Sequence, residues 1–135
     1  MKKLMSIGYS DTAFNLALFV LRVGGGLLIL VAHGYVKFEG FNRIAPKFVN
    51  FLGMGSNVSL SLSIFAELFC AIFVILGLFT RLACIPLVIN MAIAVGVGHN
   101  YDVFKTAEKA ALFFLIFFTI LLVGPGKYSV DGMRK

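Results

Sequence analysis

The chain has 135 residues, of which 60% are hydrophobic and only 13% charged, with a formal net charge of +6. A soluble domain carries about 25% charged residues, and one this short has too little interior to hide so much hydrocarbon; the bilayer is the natural solvent, and no separate soluble catalytic domain fits. Lys and Arg sit at the two ends and in short loops rather than in one continuous patch, so nucleic acid is not an expected partner.

Apolar runs predict four transmembrane helices over about 13–33, 58–78, 82–98 and 107–123. The expected fold is an all-α membrane protein, a four-helix bundle forming a single domain over 1–135. The first run follows Met1-Lys2-Lys3 but carries Arg22 and no small-residue cleavage signal, so it is expected to be retained as a helix. Between the first and second runs, Phe41, Ile44, Phe48, Phe51 and Leu52 recur at helical spacing, with Arg43, Lys47 and Asn50 opposite them. That pattern predicts a helix lying in the membrane interface, in the part after Pro46, because proline would bound it. Only Phe79-Thr80-Arg81 separates the second and third runs, which makes them antiparallel neighbours. Gly124-Pro125-Gly126 stops the fourth. Both termini then share one side with Arg81. That side holds Lys2, Lys3, Arg81, Lys127, Arg134 and Lys135, against Lys37, Arg43, Lys47, Lys105 and Lys109 on the other. The positive-inside rule therefore expects a multi-pass protein of the inner (plasma) membrane with cytoplasmic termini. Cys70 and Cys84 lie inside apolar runs, outside any CxxC pattern, and are expected as buried free thiols.

Ionisable groups inside a span are costly unless paired or wet, so each is a functional candidate. Counted from the ends of their runs, Arg22, Glu67 and Asn90 reach similar depth, and Arg22 is expected to pair with Glu67, directly or through Asn90 or one water. Asn15, Arg22, Gly26, Ile29 and His33 form one stripe of the first helix, and Ser59, Ser63, Glu67 and Cys70 one stripe of the second. The pair suits either a structural bridge between helices or a site that binds substrate and relays protons. A second set of polar residues gathers near the opposite surface: His33, Lys37, Glu39, His99, Asp102, Glu108 and Lys109. Lys37 is expected to snorkel its ammonium outward, and His99 to point away from the Asn90 face of a regular helix. The candidate polar pocket therefore comprises Arg22, His33, Lys37, Glu67, Asn90 and Glu108, with His99 and Arg81 as lesser candidates. No metal-ligand spacing is present, and two histidines on separate helices are too unspecific to indicate haem. Gly24-Gly25-Gly26 lies inside an apolar helix and suits close helix packing rather than phosphate binding.

At these residues the sequence resembles the DoxX family of small bacterial and archaeal membrane proteins. The first span carries Leu21-Arg22, Gly26, His33-Gly34 and Lys37; the second carries Ala66-Glu67 and ends in Leu76-Gly77-Leu78 with Thr80-Arg81. Glu108 opens the last span, and Gly124-Pro125-Gly126-Lys127-Tyr128-Ser129-Val130-Asp131 is similar to the family's closing segment. The resemblance implies a four-helix integral membrane protein. In some members it is a subunit of a thiosulfate to quinone oxidoreductase, in others a component tied to thiol and oxidative-stress balance. The expected function is thus a membrane subunit of a quinone-linked redox system, with Arg22, Glu67 and His33 around a quinone headgroup. Small-molecule transport, for which midplane charges and packed glycines are equally apt, and a role stabilising a membrane complex are the rival expectations. Expected partners are the lipid bilayer, a protein subunit or second copy of the chain, and a quinone or other small molecule.

Overall fold

Ser10 starts the first helix: its Oγ accepts the Ala13 N–H at 3.1 Å, and Asp11 places a negative charge in the first turn, both favourable at a helix N-terminus. From there, in the computed structural model, which describes residues 1–134, the chain is helical wherever it is regular. Lys135, one of the basic residues counted on the terminal side, lies outside the described residues. Four long helices follow in order: α1 (Asp11–Glu39), α2 (Ser56–Leu76), α3 (Thr80–Gly98) and α4 (Glu108–Val123). The first three have 29, 21 and 19 residues and are long and apolar enough to cross a membrane. The fourth has 16 residues, about 24 Å of rise against a hydrocarbon core of roughly 30 Å.

Glycine ends α2. Gly77 is left-handed (φ 71), its N–H reaching the Val74 carbonyl at 3.1 Å and the Leu78 N–H the Phe73 carbonyl at 2.9 Å, the paired bonds of a Schellman cap. The reversal into α3 is therefore tight, as the spacing predicts. The helices form a ring in which α1 packs on α2, α2 on α3, α3 on α4, and α4 back on α1. Ile29, Ala71, Val74, Cys84, Leu87, Phe117 and Ile120 fill its centre, all buried. Of the glycine run, Gly25 lies against Ile116 of α4 and Gly26 against Ile75 of α2, so these two permit close approach, while Gly24 faces open space.

The connection between α1 and α2 differs from the expected interfacial helix. Its helical turns lie mainly around Pro46, as Phe41–Ile44 and the 3-10 turn Ala45–Lys47; beyond it only the 3-10 turn Phe51–Gly53 forms, with Leu52 left-handed at φ 53. Side chains there supply partners that a helix would have supplied from its backbone. Asn50 Oδ1 accepts the Gly55 N–H at 2.8 Å and Ser59 Oγ the Phe51 N–H at 3.0 Å. The apolar residues Phe41, Ile44 and Phe48 pack instead around buried Ala45, Leu60 and Ile64, holding the connection on α2.

Each of the three longest helices widens into one π turn: Leu30–Gly34 in α1, Phe65–Cys70 in α2 and Ala94–Gly98 in α3. Such turns insert an extra residue and re-aim the side chains beyond them.

Candidate functional site

The π turns of α1 and α2 face each other. A Cβ on Gly34 would come 2.5 Å from the Glu67 carbonyl oxygen, so only glycine lets the two backbones approach this closely. The contact fixes the helix register: Gly34 opposes Glu67, and Lys37, one turn further along α1, reaches across to it. Lys37 Nζ donates to Glu67 Oε1 at 2.8 Å and to Ser63 Oγ at 3.0 Å, while Asn90 Nδ2 donates to the same Oε1 at 2.8 Å. Glu67 is only 1% exposed, and its other oxygen, Oε2, is buried without a hydrogen-bond partner. The ammonium also lies 5.6 Å from the centre of the Phe48 ring. Lys37 thus turns inward, opposite to the expected snorkelling, because a buried carboxylate one helix away holds it more strongly than surface water. Lys37 with Glu67 is the one ion pair among the described residues.

A cavity of about 790 Å³ opens beside this cluster, with Glu67, Lys37, Asn90 and His33 at its polar end. Phe65, Pro86 and Ile89 form apolar wall on α2 and α3, and Phe48 and Met54 of the connection stand at one side. His33 is half-buried, edge-on to Phe113 with ring centres 5.5 Å apart. His99 is exposed but lines the same cavity. It does not turn away as a regular helix would require: the Ala94–Gly98 π turn intervenes between it and Asn90, and His99 itself has left the helix, at φ −134 and ψ 16. Among the described residues, no group of three His, Cys, Asp or Glu could hold a metal ion.

Arg22 stands apart from this cluster, which corrects the expected Arg22–Glu67 pair. Its Nη1 donates to the Pro125 carbonyl and its Nη2 to the Tyr128 carbonyl, both at 2.7 Å, and it is 1% exposed. It lies opposite Gly77, whose Cβ would meet Nη1 at 3.0 Å, about ten residues or roughly 15 Å of helix rise from Glu67. Counting depth from run ends failed because α1 continues to Glu39, well past the apolar run. Arg22 instead fastens the closing segment to the terminal end of the bundle. Asn15 Oδ1 helps by accepting the Lys127 N–H at 2.7 Å. Asp131 then caps α3 from across the chain: Oδ1 accepts the Phe79 N–H, and Oδ2 the Thr80 N–H and hydroxyl, each at 2.9 Å. Partial burial pulls the Asp131 carboxyl upward, but these bonds from Thr80 and Phe79, with Arg134 nearby, outweigh it and hold the group below its ordinary range. Nothing in the residue types around Asp131 announced this cap.

Two further candidates also lie elsewhere. Glu108 is exposed in the first turn of α4 and does not line the cavity, to which α4 contributes Lys109 and Ala110; a helix turns by about 100° per residue. Its charge suits the helix N-terminus instead. Arg81 is at the opposite end of the bundle, donating from Nη2 to the Leu122 and Val123 carbonyls at 3.3 and 3.2 Å. The structure therefore brings together His33, Lys37, Glu67, Asn90 and His99, and separates them from Arg22, Arg81 and Glu108.

The DoxX family model matches residues 17–100, more than half of the chain. The chain belongs to the DoxX family. The matched stretch contains the whole Glu67 cluster from His33 to His99, whereas the Asp131 cap and Glu108 lie beyond it. With three helices long and apolar enough to cross, this DoxX chain is a multi-pass membrane protein in contact with lipid. No curated protein and no solved structure matches it.

Proposed function

We propose that this DoxX protein is the membrane subunit of a quinone-linked redox system and that the Glu67 cavity receives the quinone headgroup. The observation that carries this reading is Glu67 Oε2: a buried acceptor with no partner, beside a cavity whose walls are otherwise mostly apolar. An unpaired buried acceptor is unfavourable by about 1–3 kcal/mol, and a ligand hydroxyl donating to it removes that cost. The donors fit as well. A lysine ammonium has three protons, of which Lys37 commits two to Ser63 and Glu67, leaving one for a ligand carbonyl. The residues therefore suit both the accepting and the donating form of a quinone.

A bound quinone would supply a lipid-soluble acceptor of two electrons and two protons. Glu67 would take or return a proton at Oε2, while Lys37 and Asn90 hold Oε1 and so fix the carboxylate's orientation. His33, in the same cavity, is the group best suited to exchange the second proton near neutral pH. Electrons would come from a partner of the thiosulfate or thiol-linked type that the family resemblance implies, since Cys70 and Cys84 are buried in the core. In this reading the chain crosses the plasma membrane four times with cytoplasmic termini. The short α4 completes its crossing by local thinning of the bilayer, and the aromatic connection between α1 and α2 rests at the outer surface.

Protein purified in mild detergent from quinone-containing membranes is expected to carry quinone near one molecule per chain, measured by solvent extraction and mass spectrometry. Glu67→Gln and Asn90→Leu should lower that content. Wild-type protein with no quinone, but with solute uptake into liposomes that disappears in Glu67→Gln, would replace the reading with transport.

A further inference from the structure

At the other end of the bundle a second cavity, of about 740 Å³, lies between the α2–α3 turn and the closing segment. Its polar wall includes Arg81 and Lys127, both exposed. Neither has an acidic partner among the described residues. The acid that does line the cavity, Asp131, has both oxygens occupied in capping α3. Arg81 is held in place rather than waving in solvent. Its Nη2 rests on the Leu122 and Val123 carbonyls, and the guanidinium lies where a side chain on Gly124 would otherwise stand, 3.3 Å from that Cβ position. These contacts use Nη2 and leave the Nε and Nη1 protons without a protein partner among the described residues, the kind of donor edge that takes up a phosphate.

We propose that this cavity binds the phosphate of an anionic phospholipid from the leaflet on the terminal side. Three features favour a lipid over a soluble phosphate. The cavity sits where α1 and α3 begin and α2 and α4 end, the depth of the headgroups in a chain that crosses the membrane. Phe79, Leu82 and Val123 line it and are 53%, 68% and 41% exposed, so apolar surface for acyl chains adjoins the cations. The same end also carries Lys2, Lys3 and Arg134, which raise the local potential toward anionic lipid. Arg81 would grip the phosphate, and Lys127 would supply a second positive charge across the cavity. This site is separate from the Glu67 cavity and does not depend on its ligand.

The test is native mass spectrometry and thermal stability of the full chain in neutral detergent, with phosphatidylglycerol, phosphatidylcholine or inorganic phosphate added. Two cations near the membrane surface correspond to a preference for the anionic lipid of roughly ten- to thirtyfold. Arg81→Gln/Lys127→Gln should reduce that preference to about twofold or less, while the charge-matched control Arg43→Gln/Lys105→Gln, at the opposite end, should keep it. Should the double variant not fold, Lys127→Gln alone, whose side chain makes no described hydrogen bond, is expected to lower the preference roughly fivefold. Selectivity retained in the variants that fold would overturn the proposal. So would stabilisation by inorganic phosphate equal to that by the lipid, which would assign the cavity to a soluble anion.

Discussion

Among the described residues, Glu67 and Arg22 are the two charged side chains that are almost fully buried, and their surroundings answer that burial in different ways. Glu67 is neutralised by Lys37 and steadied by Asn90; Arg22 donates from Nη1 and Nη2 to two backbone carbonyls, while its Nε is buried without a partner among the described residues. Removing one partner of a buried pair costs about 3–5 kcal/mol, so Lys37→Met should destabilise the protein strongly, and Lys37→Met/Glu67→Gln should recover much of the loss. Arg22→Met combined with Glu67→Gln should instead give additive losses, because residues more than about 10 Å apart with no shared partner act independently. Thermal unfolding in detergent distinguishes the two patterns. Asp131 contributes differently. Its carboxyl is held below its ordinary range, so its contribution is complete above the unfolded value near 3.9 and is lost as pH falls through the lower folded value. Asp131→Ala should cost about 1 kcal/mol near neutral pH, with the difference from wild type shrinking below about pH 4. Ionisable residues in apolar runs identified Arg22 and Glu67 from the sequence alone, and matching depth identified Asn90 as a neighbour of Glu67. The Lys37 partner and the Arg22 acceptors were not legible, because Lys37 lies beyond the apolar run and the acceptors are backbone atoms about a hundred residues away.

The elements set the site through close approaches and irregular turns. Gly34→Ala would drive a methyl group into the Glu67 backbone; overpacking of this kind costs about 1–3 kcal/mol, and it should loosen the Lys37–Glu67 pair as well. Gly24→Ala meets nothing within 4 Å and should leave stability unchanged or raise it by up to about 1 kcal/mol through helix propensity. Thermal melts of the two variants provide the comparison. The helices themselves, their order and the inward stripes Ser59-Ser63-Glu67-Cys70 and Asn15-Arg22-Gly26-Ile29-His33 were readable from hydropathy and spacing; eight of these nine residues are buried and His33 is half-buried. The π turns were not, since a one-residue register shift leaves no mark on a hydrophobic pattern; that shift and the end of α3 at Gly98 accompany the return of His99 to the cavity. The connection misled for another reason: aromatic residues at helical spacing serve there to pack on α2, and Asn50 and Ser59 take over the backbone bonding.

The whole molecule is a ring of four helices with a carboxylate-centred cavity toward one end and a closing segment bound by Arg22 and Asp131 at the other. Even helix number, the tight α2–α3 reversal and the apolar composition carried that architecture; the docking of the closing segment came only with tertiary contacts. Four crossings with cytoplasmic termini require that Lys47→Cys react with an impermeant thiol reagent on intact cells while Lys127→Cys is protected until the cells are opened. The reverse pattern would invert the protein. The most direct test of a headgroup site at Glu67 is photolabelling with a photoactivatable quinone analogue, followed by peptide mapping. Adducts should concentrate in the peptides containing His33, Glu67 and Asn90, fall away when unlabelled quinone is added, and be absent from Glu67→Gln. Adducts spread over the lipid-facing α4 residues Leu112, Leu115 and Phe118, undiminished by competitor and unchanged in the variant, would contradict it.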